Sequence, residues 1–325
     1  MKRTFFLLWI CVIATLLSAC HSKSNDEPVA TTTLELPDFS ADSAYAFVKT
    51  QTDFGPRVPN SQAHADCADY LKNKLAQYAD TVSLQTFDVK AYDGKTLHAC
   101  NIMGSFAPEK EKRILLASHW DSRHIADHDP IERFQSQPID GANDGASGVG
   151  VLLEVARQLQ IKNPNIGVDI VFFDVEDYGT PSSVDIDGDW WALGSQYWAK
   201  QAYANGYRAE YGILLDMVGA ADATFYHEYF SDSYAPDIVS KVWSTAYKLG
   251  HGKYFINESS HPITDDHLYV NRLGHLKMID IIHQDKNSAT GFPAVWHTHD
   301  DDIQHIAPNT LAVVGTTLLA VIYAE

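Results

Sequence analysis

Arg113-Ile114-Leu115-Leu116-Ala117-Ser118-His119-Trp120-Asp121 is the stretch on which the fold turns. Its apolar residues run without alternation, so neither side of the segment faces water. A strand of that kind belongs in the middle of a sheet covered on both faces. The histidine and aspartate that follow it stand where such a sheet presents its carboxyl ends, the place where ligands bind in open α/β folds. The pattern recurs downstream. Residues 168–174 form a second buried strand leading to Glu176 and Asp177, residues 211–218 a third containing Asp216, and residues 276–282 a fourth. Between them, a glycine-rich turn over 141–150 feeds a helix through Glu154-Val155-Ala156-Arg157, and helical spacing marks 192–203, 236–249 and 308–323.

Upstream, apolar residues recur at helical spacing over 61–78, with Cys67, Tyr70, Leu71, Leu75 and Tyr78 on one side and Asp69, Lys72 and Asn73 on the other. Lys74 falls on the apolar side, so its stem should lie along the core with the ammonium reaching water. Residues 81–89 and 100–106 read as further strands. Strands alternating with helices predict an α/β fold of three layers, a mostly parallel central sheet with helices on both faces.

The ends bound this domain. Met1-Lys2-Arg3, an apolar run and Leu17-Ser18-Ala19-Cys20 read as a bacterial export signal over residues 1–19 that ends in a lipoprotein box. The run is too short for a spanning helix. On this reading Cys20 opens the mature chain and carries lipid, which anchors it to a membrane of the cell envelope, facing the periplasm. Residues 20–33 are mostly polar and read as a flexible tether. Residues 34–325 then form one domain, and roughly 300 residues suffice for a large core. Cys67 and Cys100 remain for pairing; a disulfide and two unpaired thiols are both open. The formal net charge of -18 argues against nucleic acid and favours cationic partners such as a peptide amino terminus.

Chemistry-bearing residues stand after each buried strand: His119 and Asp121, Glu176 and Asp177, and Asp216, with Asp144 in the glycine turn and His297 ahead of the last helix. Taken singly, a buried His or Asp is more often a hydrogen-bonded structural residue or a helix cap. Several at corresponding strand ends are what a zinc site needs, since Zn²⁺ takes imidazole nitrogen and carboxylate oxygen and keeps one position open for catalysis. His124, His128, His261, His275, His283, His299 and His305 find no role, and most read as surface residues. No Gly-x-Ser-x-Gly elbow is present, and the glycine turn lacks the Lys and Ser/Thr of a phosphate loop.

Ser118-His119-Trp120-Asp121-Ser122, Gly141-Ala142-Asn143-Asp144-Gly145-Ala146-Ser147-Gly148, Phe172-Phe173-Asp174-Val175-Glu176-Asp177, Leu214-Leu215-Asp216-Met217-Val218-Gly219 and Trp296-His297-Thr298 resemble, in order, the zinc aminopeptidase clan, the M28 family. Within it they look most like the glutaminyl cyclases, on Trp296 before His297 and on Thr264-Asp265-Asp266-His267. The cyclase resemblance implies one catalytic zinc on Asp144, Asp177 and His297, with Glu176, Asp216 and Asp265 acting on substrate. The substrate would be a peptide or protein amino terminus beginning with glutamine, converted to pyroglutamate with release of ammonia. Asp265 would sit against Asp216 in a carboxylate network sharing a proton. Trp190, Trp191 and Trp296 would wall an apolar pocket for a small neutral side chain. The aminopeptidase branch implies two zinc ions, with His119 and Asp216 as further ligands. Two departures stand out: Asp177 occupies a position where both branches usually carry Glu, and the Asn143 to Gly148 turn is nearer the aminopeptidase pattern.

Overall fold

Ser40 starts α1 (Ala41–Thr52) by accepting the Ser43 N–H, and Ser61 starts α2 (Gln62–Leu75) by accepting that of His64. Such caps satisfy donors that a helix start leaves unpaired. The computed structural model describes residues 36–181 and 183–325; the signal peptide, the lipidated Cys20 and the tether expected over residues 1–33 lie outside them. After the two helices, β1 (Thr81–Lys90) and β2 (Thr96–Phe106) pair antiparallel. Then β3 (Arg113–His119) leads through a long loop to α3 (Ala146–Ile161), β4 (Gly167–Phe173), α4 (Leu193–Ala204) and β5 (Gly212–Asp216). Next come β6 (Phe225–His227), α5 (Tyr229–Tyr234), α6 (Pro236–Lys248) and β7 (Phe255–Ser259), in which β6 and β7 make a small sheet of their own. The chain closes with α7 (Asp266–Gly274), β8 (Met278–Ile282) and α8 (Pro308–Tyr323).

The main sheet runs β1-β2-β4-β3-β5-β8. β4, β3, β5 and β8 are mutually parallel, while β2 lies antiparallel between β1 and β4. The unbroken apolar strands divide their side chains between two cores, as the two-residue period of a strand requires. In β3, Ile114 and Leu116 join the core that includes Val149 and Leu153 of α3 and Leu318 of α8, whereas Leu115 and Ala117 join Trp198 of α4 and Val270 of α7 on the opposite face. The sheet is therefore the middle of three layers.

Two local readings change. The glycine segment expected as a turn over 141–150 becomes helix from Ala146, because its later glycines serve packing. A Cβ on Gly148 would stand 2.3 Å from Ser118 Oγ and 2.6 Å from the Leu215 carbonyl oxygen, and one on Gly150 would stand 2.5 Å from Val48. α3 thus lies directly on the strand ends. The sequence pattern also does not announce α1, α5, α7, β6 and β7, which are short or carry narrow apolar faces; α1 buries only Ala44, Val48 and Gln51. Lys74 does lie along Phe47 and Tyr70, its Nζ 5.8 and 6.0 Å from their ring centres. Cys67 and Cys100 are free thiols, and burial pushes them up to about 12 and about 11.

Alanine usually stabilises a helix relative to glycine. At Gly148 the sign reverses: Gly148→Ala should destabilise by about 1–3 kcal/mol through overpacking against β3 and β5. A shifted urea midpoint with unchanged slope measures it; an unchanged or raised midpoint refutes the packing account.

Candidate active site

Asp121, just past the end of β3, ties two strand ends together. Its Oδ1 accepts the Glu176 N–H and its Oδ2 that of Asp177, both at 3.1 Å, and its Oδ1 lies 3.4 Å from His119 Nδ1. Leaving β4, the chain turns at Val175 with φ of 52°, leaving β5 it turns at Met217 with φ of 49°, and His297 itself has φ of 56°. Side chains seldom adopt this left-handed region, and at these three places the surrounding structure holds them there. Gly145, with φ of 96°, opens α3, and a Cβ there would be 2.5 Å from the Asp121 carbonyl oxygen and 3.0 Å from the His119 ring. Only glycine lets Asp144 approach His119 so closely. Asp301 accepts the backbone N–H groups of Asn143 at 2.7 Å and Asp144 at 3.0 Å, holding the start of α3 from the other side.

The carboxylate of Asp144 is then shared. Its Oδ1 lies 3.0 Å from His119 Nε2, and its Oδ2 lies 3.7 Å from His297 Nε2. His119 Nε2 is also 3.2 Å from Asp216 Oδ1, and His297 Nε2 is 3.3 Å from Asp177 Oδ1. Two trios result, Asp144 with Asp177 and His297, and Asp144 with His119 and Asp216, and in each the possible ligand atoms lie within 4.8 Å of one another. All five residues are buried, and Asp177 Oδ2 has no hydrogen-bond partner. An imidazole with two carboxylates is a donor set that divalent zinc accepts.

Burial raises Glu176 well above the usual carboxylate range; His119 opposes this, while the negative charges of Asp265, Asp177 and Asp266 add to it. Asp216 is pushed up to about 8, by burial and then by Asp144, with Asp265 adding to it. Burial raises Asp177 and Asp265 as well. Asp144 goes the other way: burial works against its ionisation, but the hydrogen bond and charge of His119 lower it.

A cavity of about 360 Å³ opens over these groups. Glu176, Asp216 and Asp265 reach it, as do Asp144, Asp177 and His297, and Trp191, Trp296, Phe292 and Ile263 give it apolar walls. Trp190 is not on the wall: its indole N–H donates to the Asp187 carbonyl at 3.2 Å, and its ring lies over Gly188. Asp265 caps α7 by accepting the Asp266 N–H, so the Thr264-Asp265-Asp266-His267 motif is a helix start as well as part of the cavity wall. Behind it, Glu228 accepts the N–H groups of Phe230, Ser231 and Ile263, and its Oε2 lies 2.9 Å from His267 Nε2.

Several participants escape sequence reading. Arg123, Asp127 and His128 lie in the loop between β3 and α3, and Asp280 lies within the apolar run of β8. One signal was available: the loop over 122–131 crowds Arg123, His124, Asp127, His128 and Asp129 into a segment with little to bury. The expectation that most unassigned histidines lie on the surface also needs correcting. His283 is buried, His124 stacks on Tyr178 with ring centres 3.8 Å apart, and His128 tilts against Trp296 at 4.5 Å, whereas His261, His275 and His305 are exposed as expected.

A mostly parallel α/β sheet whose strand ends gather acids and imidazoles in a walled cavity defines the class, an enzyme whose buried side-chain groups are of a kind that could hold a metal ion. Residues 101–322 match the model of Peptidase family M28, and the chain belongs to that family. It is similar to a Zn-dependent exopeptidase from Parabacteroides distasonis, 53% identical over 90% of this chain and 100% of that one, with a TM-score of 0.88. It is similar also to the glutaminyl cyclase of Bacteroides thetaiotaomicron solved with N-acetylhistamine, 52% identical over 90% and 100% of the two chains, with a TM-score of 0.87. More distantly, the glutaminyl-peptide cyclotransferase of Drosophila melanogaster is 26% identical over 289 residues, 80% of this chain and 75% of that one.

Glu228 supplies a pH prediction. Burial opposes its ionisation, but the His267 contact and the backbone donors bring it down to about 2, below the ordinary glutamate value of about 4.3. A lowered folded-state value means its stabilisation is complete above about pH 4.3 and is lost as pH falls towards 2. Glu228→Gln should therefore unfold more easily at pH 6 and show a flatter loss of stability between pH 5 and 2. Parallel urea midpoints across that range check it, and equal slopes would refute it.

Proposed function

We propose that this chain is a glutaminyl-peptide cyclotransferase, which closes the N-terminal glutamine of peptides to pyroglutamate and releases ammonia with the aid of one zinc ion. One contrast supports the single ion. His119 stands 3.0 and 3.2 Å from its two carboxylates, which are hydrogen-bond lengths. His297 stands 3.3 and 3.7 Å from Asp177 and Asp144, close to the separation of about 3.3 Å expected of two ligands each about 2 Å from a tetrahedral ion. The unpartnered Asp177 Oδ2 points to the same trio. The similarity to a glutaminyl cyclase at 52% identity supports the reaction.

Zinc on Asp144, Asp177 and His297 would supply Lewis acidity to the side-chain amide carbonyl of the glutamine and to the oxygen charge that develops on it. The chain's own groups do the rest. Glu176 takes a proton from the α-amine as its nitrogen bonds to the amide carbon, and returns one to the amide nitrogen as that C–N bond breaks and ammonia leaves. Burial and the acids around it raise its proton affinity, in opposition to the lowering that a nearby cation would bring, and this favours its acting as the acid as well. Asp216 and Asp265 orient the amine and the departing nitrogen, while Trp191 and Trp296 confine the aliphatic part of the side chain. Because the attack is intramolecular, holding the reactive conformer supplies much of the acceleration. The export and lipid attachment read from Leu17-Ser18-Ala19-Cys20 belong to the same proposal, placing the enzyme in the bacterial envelope.

A two-zinc aminopeptidase is the second reading, favoured by the trio of His119, Asp144 and Asp216. Incubation with a Gln-initiated dipeptide amide should release ammonia and form the ring without chain cleavage, leave leucine p-nitroanilide intact, and be abolished by chelation and restored by zinc. Metal counting should give one zinc per chain. Anilide cleavage without cyclisation, with two zincs held, would transfer the assignment to the peptidase. Glu176→Gln should keep its zinc and lose about 10²–10⁴-fold in kcat; a loss under tenfold would remove Glu176 from its role.

A further inference from the structure

Arg123 is 0% exposed, at the bottom of the loop that follows β3. A guanidinium taken wholly out of water is tolerated only where its donors are matched, and here they are matched by the site itself. Its Nε and Nη2 grip the two oxygens of Asp127 at 2.7 and 2.9 Å. Its Nη1 faces Asp177, 3.1 Å from the carbonyl oxygen and 3.3 Å from Oδ1, and also meets the Gly179 carbonyl at 3.4 Å. Its flat face lies over Trp191, with Cζ 4.8 Å from the ring centre. Asp127 Oδ1 in turn stands 3.2 Å from His297 Nδ1, the nitrogen that turns away from Asp177 and Asp144. A closed circuit results, Arg123 to Asp127 to His297 to Asp177 and back to Arg123.

We infer that Arg123 and Asp127 are positioning residues that set the orientation of both His297 and Asp177 toward the metal and lock the Trp191 wall of the substrate pocket to them. This rests on the reading of Asp144, Asp177 and His297 as metal ligands. Two parts of the geometry carry it. The Asp127 carboxylate faces Nδ1 at 3.2 Å without completing a hydrogen bond to it, and its negative charge favours a proton on that nitrogen, which leaves Nε2 free to ligate, as carboxylates behind ligating histidines commonly do. Arg123 holds Asp177 by its carbonyl oxygen and by Oδ1 and leaves Oδ2 without a partner, which fixes the direction of this short carboxylate arm. Asp127 and His128 could themselves form a trio with His297, but both oxygens of Asp127 are engaged by Arg123, which makes Asp127 a brace for the histidine and not a ligand. Lysine cannot replace the arginine, since one ammonium cannot hold Asp127 in two-point contact, reach Asp177 and stack on an indole together.

Zinc affinity of the full-length chain, by competition with a chelator of known affinity, tests the assignment apart from activity. Asp127→Asn and Arg123→Lys should each bind zinc about 10–100-fold more weakly, while the unfolding midpoint of the metal-free protein stays within a few degrees of the parent. Arg123→Lys should also raise KM for the dipeptide amide, since Trp191 loses its backing, and Asp127→Asn should leave KM near the parental value. Parental zinc affinity in both variants would overturn the inference, as would a metal-free midpoint that falls as far as the loaded one. Should Arg123→Lys fail to fold, Asp127→Asn decides alone. A parent that binds no zinc would defeat the metal reading itself, whereas a parent and variants that bind it equally well defeat only this assignment.

Discussion

One carboxylate stands between two buried imidazoles, and the architecture is arranged so that Asp144 can be there. Its backbone is fixed by Asp301 on one side, and the residue after it is a glycine whose missing side chain lets α3 press against the end of β3. The close approach of α3 to β3 and β5, seen again at Gly148, sets how far Asp144 lies from His119 and Asp216. His297 arrives from a loop far along the chain and is held from behind by Asp127. A shift of that helix by the width of a methyl group would take Asp144 out of reach of one histidine or the other.

The second constraint is charge. Glu176, Asp177, Asp216, Asp265, Asp266 and Asp280 are all buried near one another, and burial raises each of them. Adjacent carboxylates in such a place keep protons or gather cations, because several unscreened negative charges cannot be held together cheaply. The fold uses both remedies. Arg123 supplies a positive partner, histidines 119, 267 and 297 stand against the carboxylates, and groups such as Asp216, pushed up to about 8, retain protons near neutrality. A surplus of proton-holding acids beside an apolar wall is a setting for moving protons between nitrogen atoms.

Glu228 shows how the added elements serve the site. The segment from β6 to β7 is outside the main sheet, yet the Glu228 carboxylate at its bend collects three backbone donors and His267, and so binds α5 to Ile263 and to the first turn of α7. The wall of the cavity formed by Ile263 and Asp265 is thereby anchored to the body of the protein rather than left as a free loop.

The continuous apolar runs of β3, β4, β5 and β8 by themselves determined a buried parallel sheet, because a strand with no polar side has nowhere else to go. The acids and histidines at their carboxyl ends, and Asp144 and His297 beside them, were legible for the same reason: topology brings strand ends to one edge whatever the loops do. Tertiary structure alone decided the rest. Trp190 and Trp191 are neighbours in sequence, yet only Trp191 faces the cavity, and Arg123 and Asp127 carry no periodic signal that would reveal what they touch. Side-chain direction in loops depends on long-range contacts. The separation of 3.0 from 3.7 Å around the two histidines likewise depends on how closely α3 packs, a distance that no order of residues along a chain expresses.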